Sequence, residues 1–242
     1  MADSKSKIDT KEEIDLEKHI EEVLNDTMDL EQQEKIQLNI PKANIFKSSY
    51  HREDKNTIAV YPYTDEEGNI LYEVLRRTGR GQPFLIRSKN KEGDLEYKLQ
   101  DNIKLVPYNL PAVKQAIQDN RIIWITEGES KADALNGLGF VATSCVFKGP
   151  EKWYEKYNNF LEGAESIIII QDNDNDGERF AESTVETILN YMQDIELSVL
   201  KLFDLSSSLK EGGDIEDLIA IAGKENVKMT LESFASDFKA SV

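Results

Sequence analysis

Three groups of carboxylates follow apolar or flexible runs in this chain. Glu127 and Glu129 come directly after Ile122–Thr126, in Thr126-Glu127-Gly128-Glu129. Asp172, Asp174 and Asp176 follow the all-apolar Ile167–Ile170, in Gln171-Asp172-Asn173-Asp174-Asn175-Asp176-Gly177. Asp214, Glu216 and Asp217 follow Glu211-Gly212-Gly213. Residues two apart on an extended segment point the same way, so Asp172 and Asp174 can face one point. Carboxylates gathered this closely repel one another, and a cation relieves the repulsion. Magnesium suits such a set, with manganese as a substitute, because it takes hard oxygen ligands and draws several of them from water and phosphate. One or two such ions activate an attacking oxygen and stabilise a leaving one in phosphoryl transfer.

Other chemistries find little support. Cys145 is the only cysteine, and His19 and His51 are the only histidines. A disulfide framework, a cysteine-built zinc site and serine- or cysteine-nucleophile catalysis are therefore disfavoured. The aspartate run matches the first half of a calcium-binding EF-hand, but its twelfth loop position is Ser183, and the run follows a strand pattern. Taken alone, the run also fits a solvated acidic loop. Glu127 at a second strand end weighs against that simpler reading.

The elements that must position these groups can be read from the pattern. With 39% hydrophobic and 31% charged residues, the 242-residue chain reads as globular. No apolar run approaches the roughly 20 residues of a bilayer span, and no secretory signal opens the chain, so a cytoplasmic protein with no membrane partner is expected. The net charge of −17 is uneven: 5 basic against 12 acidic residues over 1–40, 13 against 11 over 41–120, and 11 against 23 over 121–242. Residues 1–40 read as an acidic disordered and helical segment, with a capping box at Thr10-Lys11-Glu12-Glu13. Residues 41–120 read as a small antiparallel β-rich unit with a basic surface. Its strands are Thr57–Tyr63, Ile70–Arg76, Phe84–Ser88 and Leu95–Leu99, with a hairpin loop at 64–69 and a helix at Leu110–Gln118. Arg76, Arg77, Arg80, Arg87 and Lys89 lie here. As a bare charge cluster they also fit a solvated strand face.

From residue 121 to 225 strand and helix alternate. Strands are expected at Ile122–Thr126, Phe140–Ser144, Ile167–Ile170 and Leu197–Phe203. Helices are expected at Ser130–Leu138, Glu151–Leu161, Glu178–Met192 and Ile215–Ala222. A last helix, Asn226–Phe238, falls within 226–242. Such alternation implies a Rossmann-type, four-stranded parallel sheet with right-handed crossovers. Function in these sheets gathers at the carboxyl ends of the strands, where the acidic groups fall.

These residues resemble the TOPRIM domain shared by bacterial primases, topoisomerases and some nucleases. Its signatures are a Glu-Gly after the first strand, matched by Glu127-Gly128, and an Asp-x-Asp-x-x-Gly after the third, matched by Asp172 to Gly177. The closer likeness is to phage and plasmid primases. It covers about residues 55–225 and takes in the stretch Thr126 to Leu135, the β-rich lead-in Tyr61 to Arg76 and the late acidic motif Gly213 to Ile219. The resemblance implies a magnesium-dependent nucleotidyltransferase making short primers on single-stranded DNA. Glu127 would act as general base or acid, or as a metal ligand. Asp172 and Asp174 would hold magnesium, with Asp214 and Glu216 helping. Arg76, Arg77, Arg80, Arg87 and Lys89 would grip template and nucleoside triphosphate. A separate helicase or replication protein is the expected partner, since the sequence holds no zinc-module cysteine set and no Gly-x-x-x-x-Gly-Lys-Ser/Thr phosphate loop. Lys131 departs from the resemblance, standing where an acidic residue is common. A TOPRIM nuclease and a non-catalytic nucleic-acid- or replisome-binding module are the alternatives. A topoisomerase is disfavoured for want of a gate domain and a strand-cleaving tyrosine.

Overall fold

The computed structural model describes residues 56–78, 82–146, 153 and 155–241. The expected N-terminal acidic helix lies outside the described residues, as does Arg80. Residues 54–242 cluster as one compact unit, and this unit contains two sheets.

The antiparallel sheet comes first. Strands β1 (Thr57–Thr64), β2 (Ile70–Arg77), β3 (Phe84–Lys89) and β4 (Leu95–Glu96) are joined in sequence order. The β1–β2 hairpin turns at Gly68, whose φ of +87° is a conformation that glycine reaches without a Cβ penalty. Period-2 alternation puts Tyr61 and Tyr63 of β1 on one face with Tyr72 and Val74 of β2, and all four are buried. β4 is shorter than the expected Leu95–Leu99. Beyond Glu96 the chain leaves the ladder: the Lys98 N–H donates to the Glu96 carbonyl, and the Ser88 hydroxyl donates to the Lys98 carbonyl. These local bonds replace strand pairing.

Helix α1 (Leu110–Gln118) leads to the second sheet, built from β5 (Ile123–Ile125), β6 (Val141–Thr143), β7 (Ser166–Gln171) and β8 (Glu196–Lys201). Its order is β6-β5-β7-β8 and every pair is parallel. The central strands read Ile-Trp-Ile and Ser-Ile-Ile-Ile-Ile-Gln because both faces are covered. Trp124, Ile168 and Ile170 pack on one face with α2 (Glu129–Asn136), α6 (Ile215–Ala222), α7 (Lys224–Ala240) and the tyrosines of the antiparallel sheet. Ile123, Ile125, Ile167 and Ile169 pack on the other face with α1, α3 (Glu155–Asn158) and α4 (Asn175–Tyr191). The chain leaves β5 toward β6 on one side and reaches β7 on the other. The switch point of the sheet therefore lies between β5 and β7, and ligands of open α/β sheets bind outside the carboxyl ends of such strands.

Two boundaries differ from expectation. β8 stops at Lys201, and Leu202–Leu205 turns into a short helix, α5, that buries Leu202. Of the helix expected over Glu151–Leu161, Glu155–Asn158 is helical, and residues 151, 152 and 154 lie outside the described residues.

Candidate active site

The register of the parallel sheet sets Ile125 of β5 beside Ile169 of β7. Glu127 leaves the first strand two residues on, and Asp172 leaves the second three residues on, so they emerge side by side from neighbouring strands about 4.8 Å apart. Gly128 then turns the chain into α2 with φ 116° and ψ 157°, a region that essentially only glycine occupies. This is the physical reason for a glycine directly after Glu127.

The loop after β7 is equally constrained. Asp174 is the N-cap of α4, and its Oδ1 accepts from the Gly177 N–H at 2.6 Å. A Cβ placed on Gly177 would sit 2.7 to 2.9 Å from the backbone O and N and the Cβ of Asp172. The glycine of the Asp-x-Asp-x-x-Gly pattern therefore lets the first turn of α4 close onto Asp172.

A third loop is clipped to this one. Asn173 and Gly213 form an isolated antiparallel bridge: the Asn173 N–H donates to the Gly213 carbonyl at 2.9 Å, and the Gly212 N–H returns to Asn173 O at 2.8 Å. The Asn173 side-chain amide adds bonds to the carbonyls of Leu209 and Lys210. This clip holds the start of the segment that carries Asp214 beside the loop of Asp172. Asp214 is also the N-cap of α6 in a capping box, its Oδ1 accepting from the N–H groups of Glu216 and Asp217.

Lys131, on the first turn of α2, joins the three loops. Its ammonium pairs with Asp172 Oδ2 and lies 3.9 Å from Asp214 Oδ2. Asp172 is 4% exposed. Burial lifts its carboxyl pKa to about 6 against the pull of Lys131, and the charges of Asp214 and Glu127 push the same way as burial. Burial lowers the Lys131 ammonium, but Asp172, Asp214 and Glu127 outweigh it and hold its pKa above the ordinary value. Glu127, Asp172 and Asp214 thus all bear on Lys131, from three loops.

Glu216 is exposed, and its charge bears on Asp133. Asp176 is exposed and paired with Arg179. Among the described residues, no three Asp, Glu, His or Cys side chains converge closely enough to hold a metal ion as a group. One observation nevertheless fits a cation: Asp172 Oδ1 is buried and has no hydrogen-bond partner. A magnesium ion at that oxygen would draw its remaining ligands from water and substrate phosphate.

The antiparallel sheet docks onto the helix that carries Lys131. The Tyr63 hydroxyl donates to Glu129 Oε1 at 2.8 Å, and Glu129 is 2% exposed. The Tyr108 hydroxyl donates to Asp133 Oδ1 at 2.9 Å. Tyr63 stacks on Tyr72 with ring centroids 4.6 Å apart. Tyrosines at strand spacing read as core residues in the sequence. Their hydroxyl partners on α2 carry no sequence signal, whereas the four-residue step from Glu127 to Lys131 is a visible one.

The expected phosphate-binding cations separate into distinct environments. Arg76, half-buried, bears on Tyr61, whose phenol pKa is raised by burial against the pull of Arg76, with Glu129 and Asp133 pushing the same way as burial. Arg77 ends β2, where its backbone N–H donates to the Pro83 carbonyl. Lys89 is exposed at the end of β3. Arg87 differs. It is 8% exposed, and its Nε donates to Glu73 Oε2 at 2.6 Å across the β2–β3 register. A guanidinium so placed ties two strands together.

No family model matches the chain, and no curated protein matches it in sequence. Solved structures do match. The zinc-binding and RNA polymerase domains of the Aquifex aeolicus primase superpose with a TM-score of 0.54 at 18% identity, over 72% of this chain and 39% of that one. A DNA primase domain from Pseudomonas aeruginosa gives 0.53 at 21% identity, over 71% and 50%. The DnaG catalytic core gives 0.51 at 22% identity, over 72% and 52%. The likeness to these primase structures is one of fold. The four-stranded parallel sheet preceded by an antiparallel sheet, expected from the TOPRIM resemblance, is the arrangement observed. This chain spans about two fifths to about half of the length of those solved chains.

Proposed function

We propose that this chain is the catalytic core of a primase-type nucleotidyltransferase that builds short primers on single-stranded DNA. The observation that supports the reading is the placing of Asp172 and Asp214, from two loops, around Lys131, with Glu127 at the end of the strand paired to β7, in a fold shared with primase cores. Carboxylates brought near one another from separate loops have few structural uses, because their mutual repulsion must be offset. A substrate that brings phosphates and a divalent ion uses that repulsion.

Asp172 and Asp174 would hold magnesium, with Asp214 and Glu216 supporting. When bound, the ion would lower the cost of charge developing on the phosphoryl oxygens. Glu127, at the end of the neighbouring strand, takes the proton from the 3′-hydroxyl as that oxygen bonds to the α-phosphorus of a nucleoside triphosphate and pyrophosphate departs. Lys131 holds Asp172 in place. Arg76, on the tyrosine face of the antiparallel sheet, and Arg77 and Lys89, on its opposite face, would grip phosphates of template and nucleotide, and Arg80 joins them in the proposal. A local basic surface serves this purpose on an acidic chain because each nucleotide arrives with its own cation. A separate helicase or replication protein supplies access to the template.

An assay with single-stranded DNA, labelled nucleoside triphosphates and magnesium tests the reading. Template-dependent oligonucleotides that disappear in Asp172→Asn and in Glu127→Gln are expected. Shortened DNA with no need for nucleotide would replace the reading with a nuclease. Binding of DNA without either activity would reduce the chain to a binding module.

A further inference from the structure

The feature that the proposed mechanism leaves unexplained is a cation inside the carboxylate focus. Lys131 Nζ pairs with Asp172 Oδ2, stands 3.9 Å from Asp214 Oδ2, and has a side chain only 15% exposed. Glu127 acts on it as well. A surface lysine would keep its ammonium in water. This one has given up most of its hydration for carboxylates on two other loops. It therefore occupies space, and two carboxylate oxygens, that a metal ion would otherwise use.

The other carboxylate oxygen of Asp172 is in the opposite condition. Oδ1 is buried and has no partner, which is costly for an acceptor on an ionised group. One oxygen of Asp172 is thus satisfied by a tethered cation, and the other waits for a ligand. Asp174 Oδ1 and Asp214 Oδ1 are already used in capping α4 and α6. Among the described residues, no three acidic side chains gather closely enough to surround an ion by themselves.

We propose that Lys131 fills one of two cation positions in this centre, so that the chain takes a single divalent ion, at Asp172 Oδ1. The inference rests on the nucleotidyltransferase reading and specifies its metal requirement. Two-metal centres place their ions about 3.5–4 Å apart between shared carboxylates. Here the ammonium provides the second positive charge from the protein itself. It cannot be removed by chelation, and it keeps Asp172 and Asp214 from repelling each other before substrate arrives. The remaining ion, together with the one carried by an incoming nucleotide, then completes the charge needed around the phosphates.

The test counts Mn2+ ions bound by the full-length protein, by calorimetry and by electron paramagnetic resonance of free Mn2+, without nucleotide or DNA. Wild-type protein binds one ion. Lys131→Asp exchanges the cation for a carboxylate and binds two. Lys131→Gln keeps the reach of the side chain without its charge, and tightens the first ion about tenfold or more by removing a nearby positive charge. Circular dichroism and melting curves establish that each variant is folded, and the Gln variant decides the matter if the Asp variant does not fold. A wild-type count of two, or no gain in Lys131→Asp with unchanged affinity in Lys131→Gln, overturns the assignment and leaves the nucleotidyltransferase reading standing. No Mn2+ bound by any of the three proteins, together with no template-directed synthesis by the wild type, overturns both.

Discussion

Gly177 lies against the backbone of Asp172, with room for a hydrogen where any other residue carries a Cβ. The added carbon would approach Asp172 O to 2.7 Å and Asp172 N to 2.9 Å. Backbone atoms on both sides leave nothing flexible to yield. Gly177→Ala should therefore displace Asp172 or open the first turn of α4, at a cost of about 1–3 kcal/mol. Urea melts should show the loss, and activity should fall further than the stability change alone would explain. Unchanged stability would mean that the first turn of α4 does not pack against Asp172.

The Tyr63–Glu129 hydrogen bond joins the antiparallel sheet to α2. The carboxylate is 2% exposed, so solvent cannot readily replace the hydroxyl. Tyr63→Phe should destabilise the fold by about 1–3 kcal/mol. Combined with Glu129→Ala, the loss should be less than the sum of the two single changes, because both remove the same bond. Additive losses would place the two side chains in separate networks.

Arg76 and Arg87 sit close together in sequence and on paired strands, yet they should behave oppositely. Arg87 and Glu73 have side chains only 10% and 15% exposed. Arg87→Ala strands a largely buried carboxylate and should cost about 3 kcal/mol. Arg76→Ala should leave the melting temperature nearly unchanged while weakening binding to single-stranded DNA and flattening its dependence on salt. Stability loss in Arg76→Ala with DNA affinity intact would reverse the two roles.

The pH dependence of the ligand-free protein should carry the mark of Asp172. Its pKa rises from 3.8 to about 6 on folding, mainly through burial. Between those values the folded chain holds a proton that the unfolded chain has released, so this group's contribution to stability is present at low pH and is lost as pH climbs toward about 6. Asp172→Asn lacks the titration. With chelator present, the stability of wild type relative to Asp172→Asn should decline from about pH 4 to about pH 6. Parallel curves would mean that Asp172 titrates normally.

Much of this architecture was legible because its signals are local. The bounds of α1, Leu110–Gln118, and α6, Ile215–Ala222, follow from Pro111 near the start of one helix and from Asp214 and Gly223 at the two ends of the other. β7 announced itself as an unbroken apolar run. β4 did not hold its expected length because Ser88, on the paired strand β3, and Glu96, at the end of β4 itself, supply the competing hydrogen bonds. The acidic motifs were visible as motifs. The Asn173–Gly213 bridge that brings two of them together was not, since it depends on loop placement 40 residues apart in sequence. Lys131 was visible as a departure, but only the positions of Asp172 and Asp214 reveal that its ammonium lies between them. Arg87 looked like its basic neighbours until the β2–β3 register set it opposite Glu73.

The central claim is that Asp172, held at the end of β7 beside Glu127, is needed for joining a nucleotide to a growing strand. The most direct measurement is the rate at which one labelled nucleotide is added to the 3′ end of a primer annealed to a DNA template, with magnesium present, for wild type and for folded Asp172→Asn. A template-dictated addition by the wild type, slowed about a hundredfold or more in Asp172→Asn, is the predicted result. Equal rates in the two proteins, or no addition by the wild type, would contradict it.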